Sequence, residues 1–260
     1  LLTSFVFLSE RVVESLLVDA YASLRRNIKM ADWNLVDGEG MKMKEPTVLL
    51  TFPTGEIPNV TDSGYLFARK MRQLFDLEES GMVEPSQAVE VLASSKPNDV
   101  RNTALVLVDD FAGSGEQVCK TLERRIRVAD GKLVSIQDLA KQTGLRVYYC
   151  LLVATRDAKM RLEREHSYIS VNCPHVLGKR YNIKSKNCAI ISASAANAVH
   201  SLIRKYAGIY LKSPNVKSWV REYGFHDLGL TIAFEHSVPD ATLPIFWADG
   251  SNWKPLYRRS

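Results

Sequence analysis

Thr103-Ala-Leu-Val-Leu-Val-Asp-Asp-Phe-Ala-Gly-Ser-Gly-Glu-Gln-Val118 is the most informative segment of this 260-residue chain. Its first part, Ala104 to Val108, is a continuous apolar run that predicts a strand buried on both faces, as in a parallel sheet. The carboxylates Asp109-Asp110 follow, and Gly113-Ser114-Gly115 then opens a loop that leads into a helix from near Glu116. In an open α/β sheet, this order brings the acids and the first helical N–H groups to the carboxyl end of a strand, where such sheets bind ligands.

The chemistry of this segment favours a phosphorylated sugar. The first N–H groups of a helix have no partner within the helix and carry partial positive charge, which suits a phosphate. Gly113 and Gly115 allow a close approach of the backbone, and Ser114 adds a hydroxyl donor. The two carboxylates would repel a phosphate, so we expect them to hold sugar hydroxyls or a Mg²⁺ that shares the ligand. A ribose with a phosphate and a pyrophosphate combines all these groups.

Residues 106–115, Val-Leu-Val-Asp-Asp-Phe-Ala-Gly-Ser-Gly, resemble the phosphoribosyl-pyrophosphate signature of type I phosphoribosyltransferases. The resemblance implies that Asp109 and Asp110 contact the ribose and Mg²⁺, and that the following loop wraps the 5′-phosphate. The implied binding residues are Asp109, Asp110, Phe111, Ala112, Gly113, Ser114, Gly115, Glu116 and Gln117. The chain departs from the signature at Gln117, where Thr is usual, and at Gly113, where some purine-specific members carry an Asp that accepts a proton from the base.

A second strand–loop–helix unit precedes this segment. Thr47 to Phe52 predicts a buried strand, and Ser63-Gly64 opens a helix that reaches Phe75. By the resemblance, Thr51 to Thr54 and Asp62 to Gly64 are candidates for holding pyrophosphate; the alternative is an ordinary strand-to-helix connection. The resemblance also implies that Asp76 to Asn102 contains a flexible loop that closes over the reactants and excludes water. A short helix is expected within this segment, near Ser86 to Ala93.

A third strand is predicted over Arg146 to Ala154, and Thr155-Arg156-Asp157 follows at its carboxyl end. Arg156 is therefore a candidate for contacting phosphate or pyrophosphate. The alternative is that Thr155 or Asp157 caps the helix that continues to Glu165.

The predicted fold is an α/β domain with a central parallel sheet flanked by helices. We expect three segments: an N-terminal helix and loop (1–46), the phosphoribosyltransferase-like core (47–211) and a C-terminal cap of strand and loop (212–260). The clearest helices outside the main segment are Glu10–Met30 and Ser192–Tyr210, and a strand is predicted over Leu228–Phe234.

The C-terminal segment adds a second resemblance. Phe234-Glu235-His236 with Pro239, followed by Leu243-Pro244 and Trp247, is similar to the C-terminal signature of phosphoribosyltransferase-like effectors in bacterial conflict and antiphage defence systems. The resemblance implies a toxin or defence effector, with a partner complex that contains nucleic acid as one way of holding it inactive. Glu235 or His236 is a candidate acid or base toward the acceptor; the alternative is that both only anchor the loop.

The composition is that of a globular protein that binds anions. The formal charge of +5 and pI of about 9.0 favour phosphates, nucleotides or nucleic acid without choosing among them. The four cysteines form no Cys-x-x-Cys pair, which argues against a disulfide or zinc framework and favours a reducing cytoplasm. No apolar run reaches the roughly 20 residues that span a bilayer, so we expect no membrane partner. The oligomeric state is left open.

Three functions are compatible with these features. The favoured one is transfer of a pentose phosphate from phosphoribosyl pyrophosphate, with Mg²⁺, to a nucleotide or nucleic-acid acceptor. The second is a non-catalytic module that senses a nucleotide or docks a partner with the same pocket. The third is hydrolysis of a nucleotide in that pocket.

Overall fold

A computed structural model describes residues 5–31, 33, 45–55 and 63–258 of the chain. Asp62, one of the candidates for holding pyrophosphate, lies outside these ranges. The chain divides into two compact units, Leu16–Val176 and the combination of Leu1–Ser15 with Leu177–Ser260. These limits differ from the three segments expected from the sequence, because a strand close to the N-terminus pairs with one from the C-terminal segment. Within the described ranges, every helix is too short or too polar to traverse a bilayer.

The secondary structure alternates strands and helices through most of the chain. In chain order, the strands are β1 (Val6–Leu8), β2 (Thr47–Thr51), β3 (Thr103–Ala112), β4 (Ile126–Arg127), β5 (Leu133–Val134), β6 (Arg146–Thr155), β7 (Ile169–Asn172), β8 (His175–Leu177) and β9 (Ile232–Phe234). The helices are α1 (Glu10–Met30), α2 (Ser63–Phe75), α3 (Pro85–Ser94), α4 (Pro97–Arg101), α5 (Glu116–Glu123), α6 (Ile136–Thr143), α7 (Arg156–Glu165) and α8 (Ala193–Tyr210).

The central sheet confirms the predicted α/β class. Its strands run in the order β2-β3-β6-β7, each parallel to its neighbour, and β8 also pairs with β6. In the middle strand, β3, every residue from Thr103 to Asp110 is buried. This is why its sequence is a continuous apolar run rather than an alternating one. A large apolar cluster joins the sheet to α3, α5, α6 and α7.

β3 is longer than the sequence predicts. It continues through the acidic pair to Ala112, because Phe111 pairs with Val153 and Ala112 with Ala154 across to β6. Phe111 and Ala112, which the resemblance places in the phosphate-binding loop, are therefore strand residues. The loop between β3 and α5 contains only residues 113–115.

Two other elements differ from the prediction, and a third region confirms it in part. In the segment 76–102, the short helix expected near Ser86 to Ala93 is confirmed as α3, and the structure adds α4. Apolar residues of both helices are buried in the core, which stabilises the segment. Closure of this segment over the reactants stays a prediction. The helix after the glycine turn, which the sequence predicts as far as Val128, ends at Glu123 as α5, since the short β4–β5 hairpin begins at Ile126. The strand predicted over 228–234 is reduced to the three residues of β9, which pair with β1.

The unit that contains both chain ends has its own core. β1 and β9 form a parallel pair in which Phe7 is opposite Ala233. Buried apolar residues of α8 and of the segments before and after it pack in one cluster: Ile183, Val199, Ile203, Tyr223, Leu243 and Phe246. The predicted α8 is confirmed, and the Ser192 hydroxyl accepts a hydrogen bond from the Ala195 N–H at its start.

Candidate functional site

The acidic pair lies near the carboxyl end of β3 and is almost fully buried. Asp109 is 6% exposed and Asp110 is 5% exposed. One oxygen of Asp109 accepts a hydrogen bond from the Asp110 N–H at 3.0 Å, and the other accepts one from the Tyr149 hydroxyl at 2.8 Å. Burial, together with the charge of Asp110 and a hydrogen bond to its side chain, raises the pKa of Asp109 well above its usual range. Asp109 therefore favours its protonated form.

The raised pKa of Asp109 predicts a dependence of stability on pH. The stabilising contribution of protonated Asp109 to the free energy of unfolding is fully present below the unfolded-state pKa, about 3.9. This contribution is lost as the pH rises through the higher folded-state pKa. We expect Asp109→Asn, which cannot ionise, to remove this loss, so that the variant gains stability relative to the wild type as the pH rises above the unfolded-state pKa of about 3.9. Urea unfolding at several pH values measures the difference. Asp157→Asn, on the exposed first turn of α7, is the control; a difference that does not change with pH would contradict the assignment.

Asp110 is contacted by the start of α2. The Ser63 hydroxyl donates a hydrogen bond to its carboxylate at 2.7 Å. The next residue, Gly64, allows α2 to approach the sheet closely: a Cβ at this position would lie 3.0 Å from the Cβ of Phe52 and 3.2 Å from the carbonyl oxygen of Val108. The close approach of α2 at Gly64 thus places the Ser63 hydroxyl in contact with Asp110.

The loop between β3 and α5 has the geometry of an anion-binding turn. Gly115 has a positive φ of 72° and is the N-cap of α5, a conformation that favours glycine. Because Gly115 offers no side-chain acceptor to the first turn, the helix N–H groups are covered only in part; the Ser114 hydroxyl accepts from Glu116 N–H at 3.3 Å. The Gln117 side chain is exposed, and its amide donates to the carbonyl oxygen of Pro53 at 3.5 Å.

Thr155, at the end of β6, connects this loop to the neighbouring strand. Its hydroxyl donates to the carbonyl oxygen of Gly113 at 2.5 Å and accepts from the Ala158 N–H at 3.0 Å. Thr155 is therefore the N-cap of α7, as the alternative interpretation of this segment predicted. Arg156 is the first residue of α7 and is exposed, so its contact with phosphate stays a prediction.

The segment after β2 is fixed to α5 by polar contacts. The Thr54 N–H donates to the Thr121 hydroxyl at 3.0 Å. The Arg124 guanidinium donates to the Thr54 hydroxyl at 2.7 Å and carbonyl at 3.2 Å, and to the Gly55 carbonyl at 2.5 Å. One cation thus holds three acceptors of the segment that the resemblance associates with pyrophosphate.

A separate cavity of about 490 Å³ lies at the opposite end of the strands. It is lined at the amino ends of β6 and β7 and by the end of α1, and the Arg146 guanidinium lies 4.4 Å from the centre of the Trp33 ring. The carboxylates and the glycine turn are not part of its lining. The chemistry of the residues therefore favours the carboxyl end of the sheet over this cavity.

A family model described as PRTase-CE matches residues 1–259 of the chain. The chain belongs to the PRTase-CE family. No curated protein matches the sequence significantly. The solved structures to which it is similar include the AQ2163 protein from Aquifex aeolicus, with 11% identity, a TM-score of 0.37 and coverage of 65% of this chain and 76% of that one. Another is the Helicobacter pylori xanthine-guanine-hypoxanthine phosphoribosyltransferase, with 12% identity, a TM-score of 0.35 and coverage of 66% and 85%.

In this member of the PRTase-CE family, Glu235 and His236 lie in the unit that contains the chain ends. The Glu235 carboxylate accepts a hydrogen bond from the Glu10 N–H at 2.6 Å, so it caps the start of α1. The Tyr257 hydroxyl donates to the Glu235 carbonyl at 2.5 Å, and the His236 ring lies 5.3 Å from that of Phe234. Glu235 therefore has the contacts of an anchoring residue, while catalysis by Glu235 or His236 stays a prediction.

The rest of the C-terminal signature forms part of a core. Trp247 is fully buried, and its indole N–H donates to the Thr242 carbonyl at 2.9 Å. The Trp247 side chain packs with Val220, Ala233 and Val238. A buried tryptophan with its N–H satisfied stabilises this unit, which explains the residue without a direct role in chemistry.

Several residues of the site were not identified from the sequence. Tyr149 contacts Asp109, Ser63 contacts Asp110, and Arg124 holds the segment after β2. Only Tyr149 carried a usable signal, because a tyrosine in a strand buried on both faces requires a hydrogen-bond partner. Arg124 has no local signal of its role, since its three acceptor atoms lie about 70 positions earlier in the chain.

Proposed function

We propose that this chain binds phosphoribosyl pyrophosphate with Mg²⁺ at the carboxyl ends of β2, β3 and β6 and transfers its pentose phosphate to an acceptor. The PRTase-CE family indicates a phosphoribosyltransferase-like function. The observation that carries the proposal is the buried Asp109-Asp110 pair immediately before a glycine turn that opens α5. This arrangement offers oxygen acceptors for ribose hydroxyls and N–H donors for a phosphate at one edge of the sheet.

The two carboxylates have different roles in this proposal. Asp109, with its raised pKa and its Tyr149 contact, holds the strand end and a ribose hydroxyl. Asp110, supported by Ser63, carries the negative charge that faces the sugar and the metal. An all-oxygen donor set of this kind suits Mg²⁺, which would neutralise charge on the pyrophosphate as it leaves.

The glycine turn would hold the 5′-phosphate. Gly113, Ser114 and Gly115 present backbone N–H groups and a hydroxyl, and Glu116 and Gln117 form the first turn of α5. The Glu116 carboxylate is paired with Lys120 at 2.8 Å, which reduces its repulsion of a phosphate. Thr155 fixes the Gly113 carbonyl, so the Ser114 N–H of the same planar peptide group keeps a constant direction.

The segment after β2 and the exposed Arg156 would interact with the leaving pyrophosphate. The bond from the anomeric carbon to pyrophosphate breaks and a bond to the acceptor nucleophile forms, and the acceptor's proton passes to a base. Catalysis of this kind depends on positioning and charge stabilisation. Glu235 and His236 are proposed as the acid and base candidates toward the acceptor.

We propose a nucleotide or nucleic acid as the acceptor, because the chain is basic, with a formal charge of +5. The similarity of the C-terminal segment to defence effectors supports a role as a toxin or antiphage effector in the cytoplasm, regulated by a partner complex. The alternatives of a nucleotide-sensing or partner-docking module and of a hydrolase use the same pocket and give different results in the assay below.

The test is pyrophosphate release from phosphoribosyl pyrophosphate and Mg²⁺ by the wild-type chain, in the presence of separate nucleotides, RNA, DNA or bacterial extract. We expect release that depends on both Mg²⁺ and an acceptor. Calorimetry with phosphoribosyl pyrophosphate is run in parallel. Binding of phosphoribosyl pyrophosphate without release of pyrophosphate in the presence of any acceptor would support the sensor. Hydrolysis of nucleotides in the absence of phosphoribosyl pyrophosphate would support the hydrolase. The absence of both binding and release would overturn the proposal.

A further inference from the structure

Three potential metal ligands converge where α5 and the end of α7 meet. The sulfur of Cys119, a carboxylate oxygen of Glu165 and a ring nitrogen of His166 all lie within 4.8 Å of one another. Cys119 is 4% exposed and His166 is 1% exposed, whereas Glu165 is exposed. The sequence shows no metal motif here, because the cysteine and the histidine are 47 positions apart.

The His166 ring provides a second, independent observation. Its Nδ1 atom lies 3.0 Å from the Tyr168 hydroxyl, which fixes the ring orientation. Its Nε2 atom is fully buried and has no hydrogen-bond partner among the described residues. The Glu123 carboxylate is 3.3 Å from Nε2 but does not satisfy hydrogen-bond geometry. A buried imidazole nitrogen without a partner destabilises the fold, and one whose other nitrogen is held by a neighbour is oriented like a metal ligand.

The surrounding charges both favour and oppose a cation. Glu123 and Glu165 supply two negative charges at the exposed side of the cluster. Arg161 and Arg164 each contact the Glu165 carboxylate at 2.8 Å, so a metal would have to displace at least one of these contacts. Both pairs are partly exposed, and exposed ion pairs of this kind contribute only about 0–1 kcal/mol. Their displacement is a small cost beside the binding of a transition metal by thiolate and imidazole.

We propose that Cys119, His166 and Glu165, with Glu123 as a fourth ligand, form a site for Zn²⁺ or a metal ion of similar chemistry. The ligand atoms are the Cys119 thiolate, the His166 Nε2 and one oxygen from each carboxylate. This mixture of soft sulfur, nitrogen and oxygen in a four-ligand set is typical of zinc. On binding, the Cys119 thiol releases its proton to solvent and a metal–sulfur bond replaces the sulfur–hydrogen bond.

The site would connect two helices of one unit. Cys119 and Glu123 belong to α5, whereas Glu165 is the last residue of α7 and His166 is its C-cap, so a metal bound by these residues would hold the two helices together. It is independent of the proposed sugar site, because none of its four ligands contacts the acidic pair in the contacts described above. A metal that binds the folded chain preferentially stabilises it in proportion to the logarithm of its concentration.

Titration of the metal-free chain with Co²⁺ tests the proposal directly. Tetrahedral Co²⁺ with a thiolate ligand gives visible d–d bands and a near-ultraviolet charge-transfer band. We expect both bands to saturate at one Co²⁺ per chain and to disappear when Zn²⁺ is added. Thermal unfolding with and without Zn²⁺ is expected to show a higher Tm with the metal.

Variants assign the ligands. We expect Cys119→Ser to remove the charge-transfer band and His166→Gln to weaken Co²⁺ binding by about 100-fold or more, beyond the roughly 10–100-fold effect of losing a supporting residue. Cys173→Ser is the matched control, because this half-buried thiol donates to the carbonyl oxygens of Leu152 and His175 outside the cluster. Circular dichroism establishes that each variant is folded, and His166→Gln is the deciding variant if Cys119→Ser does not fold.

Two results would overturn the site. One is a wild-type chain that shows no thiolate–Co²⁺ band at one equivalent of metal. The other is binding that survives in folded Cys119→Ser and His166→Gln, which would place the metal elsewhere.

Discussion

Replacing Asp110 with asparagine is expected to lower pyrophosphate release from phosphoribosyl pyrophosphate by about 100-fold or more, the effect of losing one preorganised charge at a reacting centre. The carboxylate is 5% exposed and is supported by the Ser63 hydroxyl, so its position is well defined before substrate binds. Asparagine keeps the shape and can accept from Ser63, but it removes the charge that the proposal assigns to the sugar and the metal. Initial rates at saturating Mg²⁺ measure the effect.

The matched control is Asp99→Asn, which removes an exposed carboxylate from α4 and is expected to leave the rate unchanged. Urea unfolding separates a loss of chemistry from a loss of fold, because Asp110→Asn should remain folded. In bacteria challenged with phage, the Asp110→Asn chain is expected to lose any protection that the wild type gives. A rate within twofold of the wild type would rule out a role for this carboxylate in the transferase reaction.

Arg124→Met is expected to raise the KM for phosphoribosyl pyrophosphate by about tenfold and to lower the free energy of unfolding by about 2 kcal/mol, the typical contribution of hydrogen bonds to a charged group. The guanidinium holds the Thr54 hydroxyl and carbonyl and the Gly55 carbonyl, while methionine keeps most of the side-chain length. Without these contacts the segment after β2 is free to move, and ordering it would use part of the binding energy of the pyrophosphate.

Arg125→Met is the control, because it removes the same formal charge from the neighbouring position, where the arginine is exposed. Steady-state kinetics and urea unfolding of both variants give the comparison. Equal effects of the two substitutions would mean that only the net charge matters. An unchanged KM in Arg124→Met together with reduced stability would limit Arg124 to a structural role.

The acidic pair illustrates how far the sequence could describe the site. An apolar run followed by Asp109-Asp110 and a glycine turn predicts a buried parallel strand and a helix start, and the structure confirms both. The sequence could not show that the two carboxylates have different hydrogen-bond partners. Their difference arises from Tyr149 and Ser63, which come from a neighbouring strand and a helix and whose positions depend on how the sheet assembles.

Local patterns also misplaced boundaries that depend on pairing. Phe111 and Ala112 follow the acids and are expected in a loop, yet they extend β3 because they pair with Val153 and Ala154 of β6. In the segment 76–102, glycine and prolines favour a loop around one short helix near Ser86 to Ala93; the structure has α3 there, adds α4, and buries apolar residues of both helices in the core. Burial against distant residues decides such cases, and a local sequence does not contain that information.

The sequence alone determined the class of the fold, the strand that carries the acids and the turn that follows, because the signals for these features are local: hydrophobic continuity, glycine and helix periodicity. Only the tertiary structure decided which side chains meet. It brought Arg124 to Thr54, Glu235 to the start of α1, and Cys119 to His166 and Glu165. These residues are far apart along the chain, so their contacts form only when the free energy of packing offsets the entropy lost in closing the intervening loops.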